Sequence, residues 1–122
     1  MQQVSVGIIG TGWIGGIRAR VLAECPQVRE LHICEIKPDR LAEIVAQTNP
    51  ASSTLDYREL LQNESIDVVI ISTTPESTHY DITKDALLAG KHVLIEKPLA
   101  RTEEEADELI RIAREKKLKL TV

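Results

Sequence analysis

The sequence VSVGIIGTGWIG, residues 4–15, joins a short apolar run to a glycine-rich turn. The run at 4–9 has the length and composition of a strand that is buried on both faces. Gly10, Gly12 and Gly15 follow in a G-x-G-x-x-G pattern, and a stretch of helical period begins directly afterwards. A strand, a glycine turn and a helix in direct succession predict the first part of a βαβ unit.

The same alternation continues along the whole chain. We predict further strands at 30–35, near 53–55, and at 67–72, 92–96 and 118–122, with helices at 14–24, 38–47, after Asp56, at 80–89 and from Thr102 to about 117. Strands that alternate with helices favour a parallel sheet covered on both faces. With right-handed crossovers, this predicts an α/β fold of three layers, α/β/α: a doubly wound parallel sheet (Rossmann fold) with strand order 3-2-1-4-5-6.

The helical period also predicts which side chains face the core. In the first helix, the apolar side chains on one face are Ile14, Ile17, Val21 and Leu22. In the last helix, the predicted buried face consists of Ala106, Leu109, Ile110 and Ala113. Thr102 and Glu105 form the predicted capping box at the start of that helix.

Length, charge and cysteine content limit the class of protein. The 122 residues suit a single domain, and a formal charge of −4 argues against a nucleic-acid partner, which would need a clustered basic surface. No apolar run approaches the ~18 residues of a membrane span, and residues 1–4 lack the basic start of a signal peptide. Cys25 and Cys34 lie outside any metal-ligand spacing, so we expect no metal, no membrane partner and a cytoplasmic protein with reduced thiols.

The glycine turn indicates a chemical function as well as a fold. Gly10 permits the tight turn, Gly12 lets a pyrophosphate approach the backbone, and Gly15 lets the helix pack closely on the strand. The amides at the start of the helix then face the phosphates. The residues predicted to contact a dinucleotide are Gly10, Thr11, Gly12, Trp13, Ile14 and Gly15. A plain strand-to-helix turn is the alternative, and a purely packing role for Trp13 fits the sequence equally well.

Glu35 lies twenty positions after Gly15 and closes the second predicted strand. A dinucleotide site places at this position the carboxylate that accepts hydrogen bonds from the adenosine ribose hydroxyls. Because a carboxylate there repels a 2′-phosphate, we predict NAD as the cofactor. Lys37 and Arg40 are close enough to pair with a 2′-phosphate, which keeps NADP open. The alternative for Glu35 is a solvated strand end.

Two further motifs stand in the second half of the chain, TTPESTH at 73–79 and AGKHVLIEKPL at 89–99. Together with the glycine turn and the strand at 67–72, they resemble the N-terminal, NAD-binding domain of the Gfo/Idh/MocA family of oxidoreductases. The resemblance covers essentially the whole chain. It implies that the ribose and nicotinamide end of the cofactor contacts Thr73, Thr74, Pro75, Glu96, Lys97 and Pro98.

The resemblance makes Lys97 the predicted catalytic residue. In the family's EKP motif, the lysine lies at the nicotinamide edge, where it positions and polarises the reacting hydroxyl. The chemistry is consistent, because an ammonium beside a site of hydride loss can stabilise a developing alkoxide. The alternative is an ordinary exposed lysine. For His79 we favour a hydrogen-bonding role over acid–base catalysis, and the resemblance assigns no role to Glu76 or Arg18, where many relatives have Asn and His.

The resemblance also implies that this chain is one domain of a longer protein. Relatives continue into a second α/β domain that binds the substrate and forms the oligomer interface. We therefore expect residues 1–122 to be the NAD(P)-binding domain of a homo-oligomeric oxidoreductase for a sugar, cyclitol or related polyol, with the C-terminal substrate-binding domain absent from this chain. The isolated chain should then bind the cofactor without turnover. A stand-alone NAD-sensing regulatory module is the alternative.

Overall fold

The computed structural model describes residues 2–122, which form a six-stranded sheet flanked by helices. In chain order the elements are β1 (Val4–Ile9), α1 (Trp13–Ala23), β2 (Val28–Cys34), α2 (Pro38–Thr48), β3 (Ser52–Thr54), α3 (Tyr57–Leu61), β4 (Val68–Ile71), α4 (His79–Leu88), β5 (His92–Ile95), α5 (Glu103–Glu115) and β6 (Leu120–Thr121). A short 3₁₀ helix, Glu76–Thr78, leads into α4. No helix in this part of the chain is long and apolar enough to cross a membrane.

The strands are all parallel and lie in the order β3-β2-β1-β4-β5-β6, which confirms the predicted Rossmann fold. The strand order reverses between β1 and β4, and doubly wound sheets bind ligands at the carboxyl ends of the strands at such a point. The last residues of the central strands are in register: Ile9 pairs with Cys34 on one side and with Ile71 on the other. Ile71 in turn pairs with Ile95. The residues that follow these four strands therefore meet at one edge of the sheet.

Both faces of the sheet are buried, and alternate residues of a strand face opposite layers. Ile8 packs in a cluster with residues of α1 and α2, whereas its neighbour Ile9 packs with α3, α4 and α5. In β4, Ile70 joins the first cluster, and Val69 and Ile71 join the second. This alternation confirms the three predicted layers.

Helix α1 rests on the sheet through small residues, and the sequence-based prediction of its buried face is wrong for three of its four residues: only Leu22 packs against the core, where it is partly buried. The buried residues are Gly15, Gly16 and Ala19. The exposed ones include Ile14, Ile17 and, at 64% exposure, Val21. The reason is the close approach of α1 to its surroundings: a Cβ on Gly16 would lie 3.4 Å from the carbonyl oxygen of Thr11 and 2.5 Å from Nη2 of Arg40.

Helix α5 begins at the predicted capping box, where Oγ1 of Thr102 accepts a hydrogen bond of 3.1 Å from the Glu105 amide. The Glu105 carboxylate reaches back to the amide of Arg101. The predicted buried face is wrong in one position, because Ile112 is buried with Leu109 and Ala113 whereas Ile110 is 37% exposed. Residues 110 and 112 lie about 200° apart around the helix, so only one of them can face the core.

Lys91 of the AGKHV motif has a structural role. The residue is only 5% exposed, and its Nζ donates hydrogen bonds to the carbonyl oxygens of Asn63, at 2.8 Å, and Ile66, at 3.0 Å. These carbonyls belong to the loop between α3 and β4, so the ammonium ties that loop to the start of β5. Burial lowers the pKa of Lys91, although the charges of Asp67 and Glu64 oppose the shift.

Candidate functional site

A cavity of about 880 Å³ opens at the carboxyl edge of the sheet, over the ends of β1, β2, β4 and β5. Its volume is within the usual range of small-molecule and cofactor sites. Ten of the thirteen predicted site residues line it: Gly10, Thr11, Gly12, Trp13, Ile14, Glu35, Thr73, Thr74, Glu96 and Lys97. The other three, Gly15, Pro75 and Pro98, do not line it.

The glycines of the turn serve different purposes. Gly10 has a φ of +92°, and a Cβ there would lie 2.7 Å from the carbonyl oxygen of Ser72, so only glycine fits. A Cβ on Gly15 would collide with the carbonyl oxygen of Gly10, which makes Gly15 a packing residue behind the cavity. A Cβ on Gly12, by contrast, would meet no atom within 4 Å. No contact inside the protein therefore accounts for a glycine at position 12.

Two charged side chains hold the glycine turn. Oε1 of Glu35 accepts hydrogen bonds from the amide and the hydroxyl of Thr11, at 3.0 and 2.8 Å, and Oε2 accepts one from the Lys37 amide at 3.0 Å. Arg40 donates from Nε to the Thr11 carbonyl at 2.7 Å and from Nη2 to the Gly12 carbonyl at 3.4 Å. These contacts fix the shape of the turn.

The carboxylate of Glu35 is held in its ionised form. Burial disfavours the charge, but hydrogen bonds from the Lys37 amide and from the hydroxyl and amide of Thr11 outweigh burial and hold the pKa of Glu35 below its usual value. Within the described residues, Oε2 accepts a single side-chain or backbone hydrogen bond, from Lys37. Because a carboxylate oxygen can accept two, Oε2 keeps room for a donor from outside the protein.

The two cations near Glu35 differ in their availability. Arg40 is committed, since its Nη1 also pairs with Glu43 at 3.1 Å while Nε and Nη2 hold the turn. Lys37 gives its amide to Glu35, but its ammonium forms no ion pair within residues 2–122. Of the two, Lys37 is therefore the one that is free to pair with a 2′-phosphate.

At the β4–β5 end of the cavity, a buried histidine joins two loops. His79 is 2% exposed, and its ring nitrogens contact two carbonyl oxygens, Nδ1 that of Pro98 at 2.8 Å and Nε2 that of Thr73 at 2.9 Å. The peptide bonds before Pro75 and Pro98 are both cis. His79 therefore holds the loop after β4 against the loop after β5, which confirms its predicted hydrogen-bonding role.

The two charged residues of the EKP motif are in different situations. Lys97 is exposed, and its ammonium forms no ion pair or hydrogen bond within the part of the chain that the structure describes. Glu96 pairs with Arg18 of α1, with 2.9 Å between Oε2 and Nη2. Nη1 of Arg18 also donates to Oγ of Ser72 at 3.0 Å. Lys97 is thus available to a ligand, whereas Glu96 is already paired.

Several residues of the cavity were not predicted from the sequence. They include Ile36, Leu55, Tyr57 and Arg58 near β2 and β3, and Ser72, Thr78 and His79 after β4. Ser72 could have been found, because it follows β4 as Gly10 follows β1. Ile36 is 73% exposed, and an exposed apolar side chain between strand and helix carries no sequence signal of its own.

Within the described part of the chain, the cavity offers no reactive thiol and no metal site. Burial, with the charges of Glu35, Asp56 and Glu59, raises the pKa of the Cys34 thiol to about 12, so Cys34 lines the cavity as an unreactive thiol. Among residues 2–122, no three His, Cys, Asp or Glu side chains come together in a way that could hold a metal ion. The groups left for chemistry are the backbone of the turn, the Glu35 carboxylate and the Lys97 ammonium.

The sequence matches known proteins along nearly its whole length. The sequence model of the Gfo/Idh/MocA group, described as "Oxidoreductase family, NAD-binding Rossmann fold", matches residues 4–122. Levoglucosan dehydrogenase of Pseudarthrobacter phenanthrenivorans is 35% identical in an alignment that covers 97% of this chain and 32% of that protein. The scyllo-inositol 2-dehydrogenase (NADP(+)) of Bacillus subtilis is 34% identical over 122 residues, which cover 100% of this chain and 33% of that protein.

The fold matches solved structures as well. The crystal structure of scyllo-inositol dehydrogenase from Lactobacillus casei with bound cofactor NAD(H) and scyllo-inositol has a TM-score of 0.89 at 25% identity, over 98% of this chain and 36% of that chain. This chain thus spans about a third of the length of these relatives. It belongs to the Gfo/Idh/MocA family of oxidoreductases, in which it forms an NAD-binding domain with the Rossmann fold.

Proposed function

We propose that this chain binds NAD in the cavity at the carboxyl edge of the sheet and is the cofactor-binding part of an oxidoreductase for a sugar, cyclitol or related polyol. The observation that carries the proposal is the empty space where a Gly12 side chain would be. This space lies next to Thr11, whose amide is held by the Glu35 carboxylate. Nothing inside the protein requires glycine at position 12, whereas a pyrophosphate that lies against the backbone does.

The order of the strands determines how the cofactor lies in this proposal. Glu35 follows β2, the glycine turn follows β1, and Thr73 and Lys97 lie beyond β4 and β5. A dinucleotide whose pyrophosphate sits at the start of α1 extends its adenosine toward β2 and its nicotinamide toward β4 and β5. Trp13 fits this placement, since it lines the cavity at 81% exposure and packing within the chain does not account for it.

We assign the catalytic role to Lys97. Bound NAD supplies the hydride acceptor. The Lys97 ammonium donates a hydrogen bond to the hydroxyl oxygen of the substrate and stabilises the negative charge that develops on that oxygen as the carbon is oxidised, while the hydroxyl proton passes to water or to a base of the substrate-binding domain. Because the ammonium has no partner within residues 2–122, no contact with those residues has to break before it does so.

The polyol class of the substrate rests on the relatives, which include a levoglucosan dehydrogenase and scyllo-inositol dehydrogenases. Those proteins are about three times as long as this chain. We therefore place the recognition of the substrate and the oligomer interface in a second domain, outside these 122 residues.

Calorimetric titration of the 122-residue chain with NAD tests the proposal. We expect saturable binding at one site, together with no NADH production on a panel of polyols. Alignment of the two reactants can supply ~7–11 kcal/mol of a reaction barrier, and this chain offers no second wall to align a substrate. A chain that binds no NAD would refute the proposal, and robust turnover would show that the active site is complete within the chain.

Replacing Glu35 by serine should narrow or reverse a preference for NAD over NADP. In the wild type, the Glu35 carboxylate repels a 2′-phosphate, and Arg40 is held by the turn and by Glu43. The variant removes the repulsion and leaves Lys37 to pair with the phosphate. It also removes the acceptor of the two Thr11 hydrogen bonds, so the affinity for NAD itself should fall.

Titration of both proteins with both cofactors measures this effect. Asp39→Ser is the matched control, because Asp39 is an exposed carboxylate of the same segment that does not line the cavity. Its ratio of NAD to NADP affinity should stay at the wild-type value. A wild-type chain that binds NADP as tightly as NAD would contradict the role given to Glu35.

A further inference from the structure

Arg18 connects three elements at the edge of the cavity. It projects from α1, pairs with Glu96 after β5 at 2.9 Å and donates to Ser72 after β4 at 3.0 Å. The side chains of Arg18 and Glu96 are each 33% exposed, so water only partly screens the pair. Glu96 and Ser72 line the cavity and Arg18 does not, so Arg18 acts on the cavity by holding these two side chains and by its charge.

At the β4–β5 end of the cavity, some charged side chains are paired and others are not. Arg18 offsets Glu96, whereas Lys97 and Glu76 line the cavity without an ion pair among the described residues. In the proposed cofactor placement this is the nicotinamide end. The nicotinamide ring carries a positive charge in NAD⁺ and none in NADH, so the charge around it affects the two forms differently.

We propose that Arg18 is a positioning residue that holds Glu96 at the nicotinamide end and cancels its charge, so that the pair sets the relative affinity of the site for NAD⁺ and NADH. This inference rests on the proposed function. Without Arg18, an unpaired Glu96 attracts the cationic ring of NAD⁺. Without Glu96, an unpaired Arg18 repels it. The two single changes therefore shift the preference in opposite directions, which a general loosening of the fold does not do.

The test is calorimetric titration of the full chain with NAD⁺, NADH and ADP-ribose. Arg18→Met should shift the affinity ratio toward NAD⁺ by about three- to tenfold at low salt, and Glu96→Gln should shift it toward NADH by a similar factor. The double variant should return close to the wild-type ratio. Both shifts should shrink at about 1 M salt, where charges are screened within ~3 Å.

Two controls separate this effect from damage to the fold. ADP-ribose lacks the nicotinamide, so its affinity should stay within about twofold in every variant if the adenosine half of the site is intact. Arg20→Met removes an arginine of the same helix whose Nη1 contacts Gln47 at 3.2 Å, away from the cavity, and should leave the ratio unchanged.

The possible outcomes distinguish this inference from the proposed function. One outcome is that the wild-type chain binds NAD⁺ but the ratio of NAD⁺ to NADH affinity stays constant in both single variants, or shifts in the same direction in both. This outcome would overturn the inference and leave the proposed function standing. A wild-type chain that binds neither NAD⁺ nor ADP-ribose would overturn both.

Discussion

Replacing Lys97 by alanine is expected to lower turnover by ~10²–10⁴-fold in a protein that joins this domain to its substrate-binding domain, while the affinity for NAD changes by no more than a few fold. The large effect follows from the assigned role, because the ammonium is the group that stabilises charge on the substrate oxygen. The small effect follows from the structure, because Lys97 is exposed and forms no ion pair within residues 2–122.

The measurement is steady-state turnover combined with titration of the cofactor. Lys84→Ala is the matched control, since Lys84 pairs with Glu108 at 2.7 Å on the surface between α4 and α5 and does not line the cavity. That variant should keep wild-type turnover. Unchanged turnover in Lys97→Ala would show that Lys97 is an ordinary surface lysine. It would also favour the alternative that the chain is a module that binds NAD without catalysing a reaction.

Replacing Gly12 by alanine is expected to lower the affinity for NAD and leave the stability almost unchanged, whereas replacing Gly15 by alanine is expected to lower the stability. At Gly12 the added methyl meets no protein atom within 4 Å, so the free energy of unfolding should change by less than ~1 kcal/mol. The same methyl occupies the path of the pyrophosphate. Forcing a methyl into a closely packed contact costs ~1–3 kcal/mol, which corresponds to a loss of NAD affinity of about 5- to 150-fold.

At Gly15 the methyl collides with the carbonyl oxygen of Gly10, so the free energy of unfolding should fall by ~1–3 kcal/mol or more. Urea unfolding of both variants, with NAD titration under native conditions, separates the two effects. Gly12→Ala that binds NAD like the wild type would remove the main support for a pyrophosphate at the turn. Gly15→Ala with wild-type stability would contradict the packing described for α1.

The fold and ten of the residues that line the cavity could be predicted from the sequence. Apolar runs such as 4–9 and 67–72 identify buried strands because both of their faces must leave water, and the intervening helical periods leave a parallel sheet as the way to cover those faces. Gly10 and Glu35 were predictable for a related reason, whereas the EKP motif was identified by its resemblance to the family. Each stands directly after a strand or at its end, and parallel strands bring such positions to one edge.

Which side chains pair across that edge depends on the tertiary structure. Ile14, Ile17 and Val21 have a helical period, but the period does not reveal that the sheet meets α1 on its glycine and alanine side. Arg40 donates hydrogen bonds to carbonyl oxygens of the glycine turn, and Arg18 forms an ion pair with Glu96. Both contacts join groups that are far apart in sequence. Such partners depend on how closely helices approach the sheet and on which rotamers fit there. Those distances are set by packing of the whole domain, and no local pattern in the sequence encodes them.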